Sequence, residues 1–256
     1  MALNMTLRRG VLSIALLGLA LLILPARAMW LAGAAQQAAP APVLEPAFDG
    51  LRSPNAFERA NAVKALRASH DSAAAPALIA DLDDSDQAVG LYVAQTLGEL
   101  TPESMLPQLR DALQDSNADV RWRAAMALGE LHDAGAVNAL TVTLRDSDPL
   151  VQRQAADALA KIGGEDAVHA LVSGLDSAQE STAEAAMAGL EAVGDPAVPA
   201  LSSALTSPQA RVRVRAATVL GYLGDPQARP ALQLATIDQD PAVRAAVQWA
   251  LSQLPE

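Results

Sequence analysis

One leucine returns along this chain at a nearly constant interval. Leu66, Leu97, Leu128, Leu159, Leu190, Leu220 and Leu251 are separated by 31 residues five times and by 30 once. Three residues after each stand Leu100, Leu131, Ile162, Val193, Leu223 and Leu254, with Ser69 as the break. Four residues before come Ala62, Val93, Ala124, Ala155, Ala186, Ala216 and Val247. Eight before come Val89, Val120, Val151, Val212 and Val243, with Glu58 and Thr182 as exceptions. Positions −8, −4, 0 and +3 fall on one face of an α-helix, because 3.6 residues complete a turn. A stripe of that kind, repeated at this period, restricts the chain to a solenoid of stacked helical units.

Each unit divides into two helices. The second carries its own ladder, Leu78, Leu109, Leu140, Leu171, Leu201 and Leu232, followed four residues later by Leu82, Leu113, Leu144, Leu175 and Leu205. Two residues before the first ladder, Pro76, Pro107, Pro199 and Pro230 recur, while Asn138 and His169 stand there in the middle copies. The first helices are expected to open at Ser53-Pro54, Asp148-Pro149, Ser207-Pro208 and Asp240-Pro241, or near Ser85 and Ser116. A side-chain oxygen there satisfies free amides and proline loses no hydrogen bond. They are expected to end near Gly98, Gly129 and Gly221, or slightly later at Gly163-Gly164, Gly194 and Gly224. Only 3% of the residues are aromatic against 51% hydrophobic, so the core must be Ala, Leu and Val.

With these units in view, a resemblance emerges. Asp148-Pro149-x-Val151 and Val120-Arg121-x-x-Ala124-Ala125-x-Ala127-Leu128-Gly129-x-Leu131 resemble HEAT repeats, in the short variety also found in phycobilisome bilin lyases. Val212-Arg213-x-x-Ala216-Ala217-x-x-Leu220-Gly221 and Asp240-Pro241-x-Val243-Arg244-x-x-Val247 match as well. The resemblance spans residues 53–256 and departs at Glu58 in copy one and at Thr182-Ala183 in copy five. It implies an all-α, right-handed α-solenoid of about six helix pairs plus a C-terminal half repeat. It also implies a protein-binding scaffold, with bilin-lyase-like chromophore or ligand handling and a structural envelope spacer as alternatives.

Ahead of the array, Arg8 and Arg9 precede an apolar run from Val11 to Leu24, then Pro25 and Ala26-Arg27-Ala28. This pattern predicts a signal peptide over residues 1–28, or an uncleaved anchor through residues 8–31 that tethers the chain to a membrane. The run is short against the ~20 residues of a full span. The expected setting is extracytoplasmic, either periplasmic or membrane-anchored. Residues 29–52 are rich in Ala and Pro without an apolar period and are expected to be a linker.

Charge and chemistry narrow the function. The chain holds 29 acidic residues against 18 basic ones, a balance that repels nucleic-acid phosphates. No cysteine occurs, which removes disulfides, thiol nucleophiles and cysteine metal sites. His70, His132 and His169 have no metal-ligand spacing, and no serine is tied by motif to a histidine and a carboxylate. No catalytic residue, metal or cofactor is therefore expected. Another protein is the expected partner, through either of two surfaces. One is an aromatic patch of Leu91, Tyr92, Trp122 and Arg123, placed outside the apolar stripe, the alternative being that these side chains pack over the linker or an inter-repeat groove. The other is the second-helix face, with Gln108, Asp111, Thr141, Arg145, His169 and Gln233.

Overall fold

In the computed structural model, residues 44–255 are described, and their contacts set off a unit that begins at Pro46. Among the described residues there are fourteen α-helices and no strand. They are α1 (Glu45–Leu51), α2 (Ala56–Ser69), α3 (Ala75–Ala80), α4 (Gln87–Leu100), α5 (Leu106–Asp111), α6 (Ala118–Glu130) and α7 (Val137–Thr143). There follow α8 (Pro149–Ile162), α9 (Gly164–Gly174), α10 (Glu180–Val193), α11 (Val198–Ala204), α12 (Ala210–Leu223), α13 (Arg229–Ala235) and α14 (Pro241–Gln253). From α2 onward they pair into six helix hairpins, with α14 as the first helix of a seventh copy. The solenoid expected from the leucine period is therefore present.

The ladders form its core. Leu66, Leu97, Leu128, Leu159, Leu190 and Leu220 are fully buried, as are all six leading leucines of the second helices. The alanines and valines four residues before each ruler leucine are buried with them, so neighbouring helices pack through small side chains. Replacing Leu128 by Ala is expected to cost ~2–5 kcal/mol, because the alanine-lined surroundings cannot collapse into the space. A thermal melt of the variant checks this.

The helix ends differ from expectation in instructive ways. Asp148 and Asp240 do cap α8 and α14, each accepting two backbone amides. The other side-chain caps lie at Asn55, Asp86 and Asn117, two residues beyond Ser53 and one beyond Ser85 and Ser116. Ser53 and Ser207 instead accept the amides of Asn55 and Gln209, the residues at the cap itself. Gly98, Gly129 and Gly221 do not end their helices. They lie inside them where the next first helix comes close: a Cβ on Gly129 would lie 2.8 Å from Ala158 Cα. The turn glycines Gly163, Gly194 and Gly224 do have positive φ, of 67°, 76° and 65°. His70 and His132 take the same conformation at their helix ends, with φ of 52° and 50°. Their equivalent spacing thus reflects a turn. The last part of the expected linker is helical as well: α1 buries Ala47 and Leu51, and a Cβ on Gly50 would lie 2.9 Å from Ala62 Cβ. The leader and residues 29–43 lie outside the described residues.

An arginine ladder joins the copies. Seven residues before the ruler leucine stand Arg59, Arg121, Arg213 and Arg244. Arg59, Arg121 and Arg213 each form a two-pronged bond with an aspartate 25 residues on: Asp84, Asp146 and Asp238. Arg59, Arg121, Arg213 and Arg244 also donate to the carbonyl thirteen residues before the ruler, at Ser53, Asp115, Ser207 and Asp238. Gln152 does this for Asp146 in copy four. Copies two and five lack the donor, having Gly90 and Ala183 there. In both cases the following copy supplies a second arginine. Arg123 reaches back to the carbonyls of Leu82 and Asp84, at 2.7 and 3.0 Å. Arg215 reaches back to those of Leu175 and Ser177, at 2.7 and 2.9 Å. Every carbonyl thirteen before a ruler leucine thus has a donor, and the Arg-x-Arg strings at 121–123 and 213–215 mark the copies that serve two.

Titration of the junctions follows from this geometry. Burial alone would raise the Asp84 and Asp146 carboxyls, but Arg59 and Arg121, with the amides of Asp86 and Asp148, hold both below the usual range. Their stabilising effect is present above the ordinary aspartate pKa of about 4 and is lost as pH falls below it. Asp81 goes the other way. Burial, then the charges of Asp84 and Asp83, push it up to about 6. Its ionisation opposes folding as pH rises from about 4 through 6. Asp81→Asn is expected to raise the melting temperature by roughly 2 °C at pH 8 and to leave it unchanged at pH 4. Thermal melts at the two pH values check it.

Candidate functional site

The aromatic patch expected on the first helices is not formed. Trp122 is 5% exposed and Arg123 1%. A first helix in a stack has a neighbour on each side, so its flanks are covered as well as its inner stripe; Trp122, Arg123, Ala124 and Ala125 are all buried. Trp122 Nε1 donates to Asp119 Oδ1 at 3.0 Å, and the Arg123 guanidinium lies 5.2 Å from the ring centroid. Arg123 in turn fills the space that glycine leaves at position 90, where any Cβ would collide with its guanidinium. Tyr92 is half-buried with Arg67 over its ring, and Leu91 alone of the four is exposed. The exposed aromatic pair is a different one: Tyr222 and Trp249, edge to face at 5.1 Å. Sequence reasoning passed over it, although Gly221 beside Tyr222 is the signal, since Trp249 lies against that glycine.

On the second helices, Gln108, Asp111, His169 and Gln233 are exposed, as is Arg145 in the turn after α7, and Thr141 is half-buried with its hydroxyl bonded to Val137 O. Two of these come together. A groove of about 370 Å³ between α7 and α9 is lined by Asn138 and Thr141 on one wall and Asp166, His169 and Ser173 on the other. A second groove of about 420 Å³ lies between α9 and α11, with Glu165, Val168 and His169 facing Pro196, Pro199 and Ala200. His169 belongs to both, so the two flank a single helix. Arg145 reaches the edge of the first, its Nη2 lying 3.4 Å from Ser173 O. Gln108, Asp111 and Gln233 lie on other copies and line neither groove.

The local sequence explains why this occurs in the middle of the array. Pro76, Pro107, Pro199 and Pro230 are each the second residue of a second helix, where a missing amide hydrogen costs nothing. Asn138 has the same place in α7 and puts a polar side chain there. In copy four, Gly163 and Gly164 turn the chain with φ of 67° and 77°. Helix α9 starts at the second of these glycines, and His169 falls inside it, where proline would break the helix. Glu165 and Asp166 lie in its first turn, favoured by the amides exposed there.

Two further grooves, of about 620 and 640 Å³, lie over the Arg121–Asp146 and Arg213–Asp238 pairs. Exposed Val142 rims one, and exposed Leu234 and Ile237 the other. In each, the arginine and aspartate of the pair are bonded to each other. Among the described residues, no group of three or more His, Asp or Glu could hold a metal ion, and no helix is long and apolar enough to cross a membrane.

The chain is similar to several known proteins. No curated protein matches the chain. Among solved structures, a Kap121p mutant superposes with a TM-score of 0.52 at 16% identity, over 86% of this chain and 30% of that one. The complex of CpcE and CpcF of phycocyanin lyase from Nostoc sp. PCC7120 is 22% identical, with a TM-score of 0.45 over 86% of this chain and 97% of that one. Human deoxyhypusine hydroxylase is 23% identical, with a TM-score of 0.37 over 82% of this chain and 83% of that one. The family model for HEAT repeats matches residues 44–119, 106–191 and 198–256. This chain therefore belongs to the HEAT-repeat family.

Proposed function

We propose that this protein is a non-enzymatic scaffold that holds another protein in the paired grooves around His169, outside the cytoplasm. The observation that carries the proposal is the pair itself. Two adjacent clefts share one exposed histidine, and each has an apolar wall with a carboxylate at its end that joins no ion pair among the described residues. Open clefts of this kind suit an extended segment of a partner better than a small molecule, which needs enclosure. The acidic surface favours protein over nucleic acid. The extracytoplasmic setting rests on the leader pattern alone. Intact mass of the native protein tests it, since a chain lacking residues 1–28 excludes the anchor.

Affinity capture of the partner tests the site. Asn138→Arg combined with Glu165→Arg fills and recharges both grooves at exposed positions, so the melt should be unchanged. Recovery of the partner is expected to fall roughly tenfold, the equivalent of about 1.4 kcal/mol. Equal recovery with the double variant would move the site elsewhere.

A further inference from the structure

The grooves differ from the rest of the array in their charge. Helices α7, α9 and α11 contain no lysine or arginine, and neither do the turns leading into them at 133–136 and 194–197. Glu165 lines the groove on one side of α9 and Asp166 the groove on the other. Both are exposed, and neither joins an ion pair among the described residues. Of the cations close by, Arg145 touches Ser173, and Arg110, against Gly135 in the turn before α7, is bonded to Asp133. Ser173 is seven residues from Asp166, about two helical turns or ~10 Å away. Among the described residues, the carboxylate end of each groove thus has no ion-pair partner, beside apolar walls formed by Val168, Pro196 and Pro199 on one side and Val137 on the other.

We propose that these grooves take an extended, basic segment of the partner that crosses α9 over His169, with one lysine or arginine on each side of the helix. Neighbouring helices lie ~8–10 Å apart. An extended chain advances ~3.3 Å per residue. The two cations are thus about three residues apart, as basic-x-x-basic, with small or aliphatic residues between them against the apolar walls. The inference rests on the binding role proposed above and adds the chemistry of the bound segment.

Fluorescence anisotropy with labelled synthetic peptides tests it. The probes are Gly-Val-Lys-Pro-Val-Lys-Val-Gly, the same residues with the lysines adjacent, and the first peptide with glutamate for lysine. The first is expected to bind roughly fivefold more tightly than the second, and the third not at all. Glu165→Lys with Asp166→Lys should weaken the first peptide roughly tenfold at low salt. Glu103→Lys with Glu184→Lys, an equal change of charge at exposed sites elsewhere, should change it by less than about twofold. Equal losses in the two variants, or equal affinity for both lysine spacings, would overturn the proposal. A partner segment that crosslinks at position 169 but contains no lysine or arginine would overturn it too, while leaving the binding role intact. No crosslink at position 169 would remove both.

Discussion

Arg123→Ala should destabilise the protein by ~3–5 kcal/mol, a large effect for one residue of an open array. The guanidinium is the largest fully buried side chain of the structure. Its loss strands the carbonyls of Leu82 and Asp84 and empties the space over Gly90. Gly90→Arg alone should also destabilise, because its Cβ would enter the volume that Arg123 fills. Together the two changes should recover much of the loss. The double variant restores the arrangement of copies three and six, in which the arginine seven before the ruler serves its own copy. The coupling is expected to be ~1–3 kcal/mol in favour of the double variant. Arrays need not unfold in one step, so amide exchange in α4 and α6 is the readout to set beside the melt. Additive losses would mean that the two arginines do not exchange roles. Arg123 Nε has no partner in its buried site, a cost that an arginine at position 90 could relieve.

Trp122→Ala is the second large effect, expected at ~3–5 kcal/mol from the cavity it leaves. Trp122→Phe should cost less, losing the bond to Asp119 and part of the surface under Arg123. Partner binding by the phenylalanine variant should equal wild type, since Trp122 is buried and lines neither of the paired grooves. Melts and affinity measured on the same samples separate the two contributions. Weaker binding by a fully folded Trp122→Phe variant would return the site to the first helices.

The repeat, the leucine ladders and the helix hairpins were legible because burial in a stack imposes a strict period. For Trp122 and Arg123 the sequence left exposure and packing between repeats both open, and the structure buries them. A single helix has one buried stripe, whereas a stacked helix is covered on both flanks, and that second demand does not show in the 3.6-residue period. The correction was nonetheless written in the sequence. Gly90 and Ala183 lack the arginine of their sister copies, and Arg123 and Arg215 follow in the next. Seeing this requires knowing that an arginine can span from one repeat to the carbonyls of the one before. Thr141 and His169 do lie on second helices, as the ladders imply. Their convergence on two grooves depends on Gly163-Gly164, which starts α9 early. Helix α1 was missed because a seven-residue helix shows too little of a stripe to reveal its face.

The central claim is that the partner lies on the second helices of copies three to five. A photo-crosslinking residue at position 169, compared in cells with the same residue at position 222 beside the exposed Trp249, tests it most directly. Crosslinks at 169 to one protein, mapped to a single segment and absent at 222, are the expected result. Crosslinks to that protein at 222 alone would place the binding face on the first helices and contradict the account.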